Sequence, residues 1–146
     1  MVEPRLKRLA VLDLDNRPGI YADLGKLPLV PVSMMGQGFG KLLTILAAIL
    51  LDEAEVFLID EVDAGFYYST LEGVWRIIVG AAIDHSAQVF ATTHSLEAIT
   101  AAVEGSASHE GSLAFFRLER RDGDIAVVKG EDFRLRAAAR VGTELR

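Results

Sequence analysis

Apolar positions along the chain fall into blocks of different period. Residues 6–14 alternate well enough for a half-buried strand, Asn16-Arg17-Pro18-Gly19 is a turn signal, and 20–24 suit a short second strand. Residues 27–32 carry Pro28 and Pro31, so they form an edge strand or a loop. Over 39–52 the residues Phe39, Leu42, Leu43, Leu46, Ile49 and Leu50 recur at helical spacing, and Ile45 widens that face toward full burial. Residues 55–60 predict a buried strand, and 69–84 a helix with Leu71, Val74, Trp75, Ile78, Val79 and Ala82 inward. A further buried strand at 88–92 leads into a helix over 95–103, with Ser95 as its N-cap, followed by a polar loop at 105–111. Strands at 112–120 and 125–129 flank Asp122-Gly123-Asp124, a hairpin pairing. Residues 131–140 predict a terminal amphipathic helix with Phe133, Leu135 and Ala138 inward. Helix and strand alternate through the middle, so the expected class is α/β with a mainly parallel sheet flanked by helices, plus a C-terminal hairpin and helix.

Composition narrows the class. A chain of 146 residues builds one core and is short for two ordinary domains, so 1–146 is expected to be a single domain. Half the residues are apolar (51%) and a quarter charged (25%), as in a folded protein. The formal charge of -6 argues against coating nucleic acid by charge alone, though it leaves room for a local basic face. With no cysteine, disulfides and thiolate zinc sites are excluded and nothing points to export. The first residues lack the apolar core of a signal peptide, and the longest apolar run, 42–51, is too short to span a bilayer. The expected compartment is the cytoplasm, with no membrane partner.

The chemistry concentrates at Val56-Phe57-Leu58-Ile59-Asp60-Glu61, where four apolar residues end in two carboxylates. A buried parallel strand would deliver those acids to its C-terminal edge, where open α/β sheets bind their ligands. An Asp there can hold Mg²⁺ through oxygen or water, and an adjacent Glu can orient or deprotonate an attacking water. A buried strand with an acidic cap is the competing reading of that run. Thirty residues on, Gln88-Val89-Phe90-Ala91-Thr92-Thr93-His94-Ser95 ends a strand in two hydroxyls and an imidazole able to reach a phosphate oxygen or a water. Taken alone, a His at such a place is more often a structural residue of the cap region than a catalytic one. Upstream, Val32-Ser33-Met34-Met35-Gly36-Gln37-Gly38 precedes a helix, so its backbone N–H groups and the Ser33 hydroxyl can face an anion. A plain Gly-rich turn capped by Ser33 is the alternative there.

In this order the three stretches resemble the C-terminal half of ABC-like predicted AAA-class ATPases, related to overcoming-lysogenisation-defect and abortive-infection proteins. The resemblance spans most of residues 28–146 and is strongest over 33–101. It implies a signature loop at 32–38, a Walker B strand at 56–61, a D-loop at 64–67 and a switch at 88–95, on a partial P-loop ATPase core. It further implies ATP and Mg²⁺ as cofactors, with Asp60 toward the metal, Glu61 and His94 as catalytic residues, and Ser33, Gly36, Gln37, Gly38 and Asp63 toward the nucleotide. In the family the signature loop closes over the γ-phosphate held by the opposing subunit. Gln37 replaces the signature acid, Tyr67 stands where a His is common, and Met34 and Met35 fill places usually small or variable.

No G-x-x-x-x-G-K-[ST] occurs in the sequence. Gly36-Gln37-Gly38-Phe39-Gly40-Lys41-Leu42 is one residue short in spacing and puts Leu42 where a Mg²⁺-binding hydroxyl belongs, so Lys41 reads as a solvated first-turn residue. Without a phosphate cradle the chain alone should hydrolyse ATP poorly or not at all. The strand at 88–92 should then have an open edge. Three elements could close it: the 112–120 strand, the N-terminal strand, or another chain. Self-association or a P-loop-bearing partner is expected. The competing functions are a non-catalytic dimerisation or regulatory module, and, more weakly, a Mg²⁺-dependent phosphoesterase using Asp60, Glu61 and Asp63.

Overall fold

A layer of three helices lies against one face of a short parallel strand pair in the computed structural model, which describes residues 3–14, 16–26, 28–51, 54–121 and 123–130. The chain runs β1 (Arg8–Leu14), β2 (Arg17–Asp23), β3 (Val30–Pro31), a 3-10 turn (Val32–Met34), α1 (Gln37–Leu51), β4 (Val56–Ile59), α2 (Tyr68–Asp84), β5 (Gln88–Ala91), α3 (Leu96–Gly105), β6 (Phe115–Arg121) and β7 (Asp124–Gly130). The expected terminal helix at 131–140 lies outside the described residues.

Three sheets form among the described residues: antiparallel β1-β2-β3, parallel β4-β5, and the antiparallel hairpin β6-β7. The turn expected over 16–19 is tighter than its signal, because Leu14 already pairs with Arg17 and Pro18 sits in β2 opposite Asp13. Pro18 is tolerated there because β3 pairs β2 only at Tyr21 and Ala22, so no ladder bond is asked of its nitrogen on that side. The two prolines of 27–32 likewise leave β3 as a two-residue edge.

The core joins Leu42, Ile45 and Ile49 of α1, Leu71, Val74, Trp75 and Ile78 of α2, and Ala98, Ala101 and Ala102 of α3, with Val62 between them. Helical spacing identified these faces correctly, except that Leu50 is exposed at the end of α1. Helices α2 and α3 approach closely at Gly105, where a Cβ would stand 2.7 Å from both the Glu72 carbonyl oxygen and the Trp75 Cβ. Ser95 caps α3 as the sequence predicts: its Oγ accepts the Ala98 N–H at 3.1 Å.

The β4-β5 pair is covered on one side only. Phe57, Ile59 and Val89 pack against the helical core. Across the register Leu58↔Phe90, the opposite face exposes Val56 (51%), Leu58 (80%) and Phe90 (47%). Parallel pairs are normally buried on both faces. Neither β4 nor β5 pairs with a further strand among the described residues, and β6 pairs with β7 alone. Of the three closures open to the chain, the two internal ones are thus not made there. Among the described residues no helix is long and apolar enough to cross a membrane.

Candidate functional site

Parallel pairing of Ile59 with Ala91 brings residues 60–63 and 92–95 out at the same sheet edge. The pairing continues past the strands: the Thr92 N–H donates to Ile59 O at 2.9 Å and the Val62 N–H to Thr92 O at 2.9 Å. Thr92 then links the two acids. Its hydroxyl donates to Asp60 Oδ1 and accepts the Glu61 N–H at 2.9 Å. Thr93 does the same one residue further on, donating its hydroxyl to Asp63 Oδ1 and accepting the Ser95 N–H at 3.0 Å. The two loops are therefore stitched together by a pair of threonines. Asp60, Glu61 and His94 are all exposed at this edge, and Asp63 is half-buried beneath it.

Glu61 has φ 45°, a left-handed backbone uncommon for a residue with a long side chain. Such conformations persist where surroundings over-determine them, and they cluster at functional sites. Here both peptide groups of the residue are held. Its carbonyl accepts the Ala64 N–H at 2.9 Å and the Lys41 ammonium at 2.6 Å, while Thr92 takes its N–H. Lys41 also donates to Ala64 O at 3.3 Å. Lys41 is thus half-buried and engaged, which corrects the expectation of a solvated first-turn residue. Its acceptors are main-chain carbonyls reached only in the folded chain.

The loop at 32–38 and the start of α1 meet the same turn from the other side. Gly38 is buried at the start of α1, and a Cβ there would lie 2.5 Å from Gly65 O and 2.9 Å from Phe66 Cδ1. Gln37 borders Gly65 as well: its Cβ is 3.7 Å from where a Gly65 Cβ would point. Gly36 is exposed with φ 91°, and Ser33 is exposed on the 3-10 turn, which packs against β2 and α1. No hydrogen bond among the described residues ties Ser33 to the β4 tip. Of the expected site residues, Asp60, Glu61 and Asp63 are joined through Thr92 and Thr93, His94 follows Thr93 in the same loop, Gly38 and Gln37 border the turn at Gly65, and Ser33 lies apart.

Among the described residues no group of three or more His, Cys, Asp or Glu side chains could by itself hold a metal ion. One exposed carboxylate with a neighbouring acid suits Mg²⁺, which keeps several waters and takes further oxygens from phosphate. Asp60 fits that demand. Thr92 and Thr93 carry more of the geometry than sequence reading assigned them. The signal was present, two hydroxyls directly after an apolar strand and before His94, but their partners lie some thirty residues away.

An α/β core with two acids at a parallel strand tip and an imidazole past the next strand defines the AAA/ABC-like P-loop ATPase class. The fold agrees with a chain solved in work on the structural biochemistry of ATP-driven dimerization and DNA-stimulated activation of SMC ATPases. The two share a TM-score of 0.66 at 16% identity, over 99% of this chain and 86% of the other. More narrowly, the chain belongs to the family described as "AAA domain, putative AbiEii toxin, Type IV TA system", whose profile matches residues 5–100. An "ATP/GTP phosphatase" of Helicobacter pylori is 38% identical over 77 residues, which are 48% of this chain and 20% of that protein. An uncharacterized protein of Methanocaldococcus jannaschii is 34% identical over 99 residues, 68% of this chain and 86% of its own length. The chain thus spans about a fifth of the Helicobacter relative and most of the Methanocaldococcus one.

Proposed function

We propose that these residues supply the Walker B, signature and switch portion of an ATP-hydrolysing site, completed by a phosphate-binding loop from another chain or segment. The observation that carries this reading is the Thr92 bridge, which holds the Asp60 carboxylate and the Glu61 main chain together at the C-terminal edge of the parallel strands. Asp60 holds Mg²⁺ on the nucleotide by way of water, and that ion supplies charge neutralisation of the phosphates. Glu61 orients the attacking water, and His94 senses the γ-phosphate from the neighbouring loop. Asp63 braces the switch through Thr93, while Ser33, Gly36, Gln37 and Gly38 close on nucleotide across a subunit boundary. Phosphoryl-transfer catalysis consists largely of positioning and electrostatics, so without a P-loop lysine this chain alone is inactive.

The uncovered Val56-Leu58-Phe90 face supports self-association or a P-loop-bearing partner. The ATP-driven dimerization studied for the SMC neighbour supports the same idea. That exposed face also favours the second reading, a non-catalytic dimerisation or regulatory module. The phosphoesterase reading finds no support, since no three-ligand acidic cluster exists among the described residues. The deciding experiment adds a P-loop-bearing partner, or an extension carrying one, and follows phosphate release. Hydrolysis that disappears in Glu61→Gln is expected. Absence of both nucleotide binding and hydrolysis in every combination would favour the regulatory module.

A further inference from the structure

Lys41 stands on α1 one turn in from Gly38, and its ammonium meets no acidic side chain among the described residues. It donates instead to two carbonyl oxygens of one turn, Glu61 O at 2.6 Å and Ala64 O at 3.3 Å. Lys41 is half-buried as a residue, and the carbonyls of this turn take the place of part of the water around its ammonium. The benefit runs both ways. The Glu61 carbonyl is held by Lys41 and by the Ala64 N–H, and the Glu61 N–H by Thr92, so the left-handed backbone of Glu61 is clamped at both ends. On the same face of α1, Gly38 lets the helix start sit against Gly65 with no side chain between.

We infer that Lys41 is a positioning residue for Glu61: it fixes the 61–64 turn to α1 and so couples the 33–38 loop to the carboxylate at the β4 tip. This rests on the reading of Glu61 as the residue that orients water. It also separates Lys41 from a phosphate-binding lysine, because two of its three N–H donors engage main-chain carbonyls 20 and 23 residues away in sequence. A shift of the 33–38 loop carries α1 and Lys41 with it, and the strained Glu61 backbone then loses one of its three restraints.

Amide hydrogen exchange on the chain itself tests the clamp without any hydrolysis. Lys41→Met keeps the aliphatic stem and removes the donors. It is expected to speed exchange at Ala64 and Phe66 by roughly tenfold, as loss of a charge-assisted hydrogen bond implies. The α2 amides of Val74 and Ile78 stay as they were, and Lys41→Arg, which keeps donors on a similar stem, restores most of the protection. Unchanged exchange at Ala64 and Phe66, or an equal rise at Val74 and Ile78, overturns the inference. Where a P-loop-bearing partner restores hydrolysis, Lys41→Met lowers kcat while KM for ATP stays within about twofold. A raised KM at unchanged kcat overturns it as well, since the ammonium would then be meeting phosphate. If Glu61→Gln hydrolyses as fast as the parent, the reading of Glu61 fails, and the exchange result still decides the clamp.

Discussion

Two glycines two residues apart in α1 have opposite physical meanings. Gly38 is where the helix touches the turn after β4, and a methyl group there would overlap Gly65 O, a backbone atom with little freedom to move. Gly40 lies in the same helix, and a methyl group added to it would meet nothing within 4 Å. Gly38→Ala should therefore destabilise the protein by about 1–3 kcal/mol in urea denaturation. Gly40→Ala should stabilise it by about 0.4–1 kcal/mol through the smaller entropy of its unfolded chain. Equal effects of the two would show that α1 and the Gly65 turn are not in contact. At this scale sequence reading singled out Asp60, Glu61 and His94 by residue type and order, and all three lie exposed past the ends of β4 and β5. It misread Lys41, because a lysine that binds carbonyl oxygens leaves no complementary charge to find. The left-handed backbone of Glu61 was equally hidden, since glutamate is not a residue that advertises one.

Among elements, α3 shows how local rules and packing combine. Its start is set by Ser95, whose Oγ takes the Ala98 N–H, and its end packs through Gly105 onto α2. Ser95→Ala should cost about 0.5–2 kcal/mol. Because Ser95 directly follows His94, the same change should broaden the backbone amide signal of His94 in NMR spectra; a sharp, unshifted signal would mean the cap does not hold the loop at 92–95. Helices and strands were legible as elements because each buries a face with its own period. Ends were less so: β6 starts at Phe115 and not at 112, and α1 starts at Gln37. Pairing was the less legible part. The hairpin β6-β7 followed from Asp122-Gly123-Asp124, a local signal, whereas nothing local says that β4 and β5 stand without a third strand beside them among the described residues.

For the molecule as a whole, the one-sided β4-β5 pair matters most. Leu58 is 80% exposed on a strand whose neighbours in sequence alternate into the core. An apolar sheet face with open edges favours association with another chain. The chain at tens of micromolar, a concentration at which standard-sized interfaces are filled, is expected to sediment above its monomer mass of 15.9 kDa. The double change Leu58→Glu and Phe90→Glu should return it to a monomer with a lower midpoint of thermal unfolding, since association no longer supports the fold and the two carboxylates face each other across the register. A monomer before the change, or association that survives it, would point to a different surface.

Sequence alone determined the α/β alternation, the helix faces and the cap at Ser95. These depend on the period and chemistry of neighbouring residues. Tertiary structure alone decided the threonine stitches, the Lys41 clamp, the Gly38 contact and the bare face of β4-β5. Each is a meeting of groups twenty or more residues apart, or the lack of one. Their partners are largely backbone atoms, which every sequence carries alike, so only the folded chain can say which of them come together.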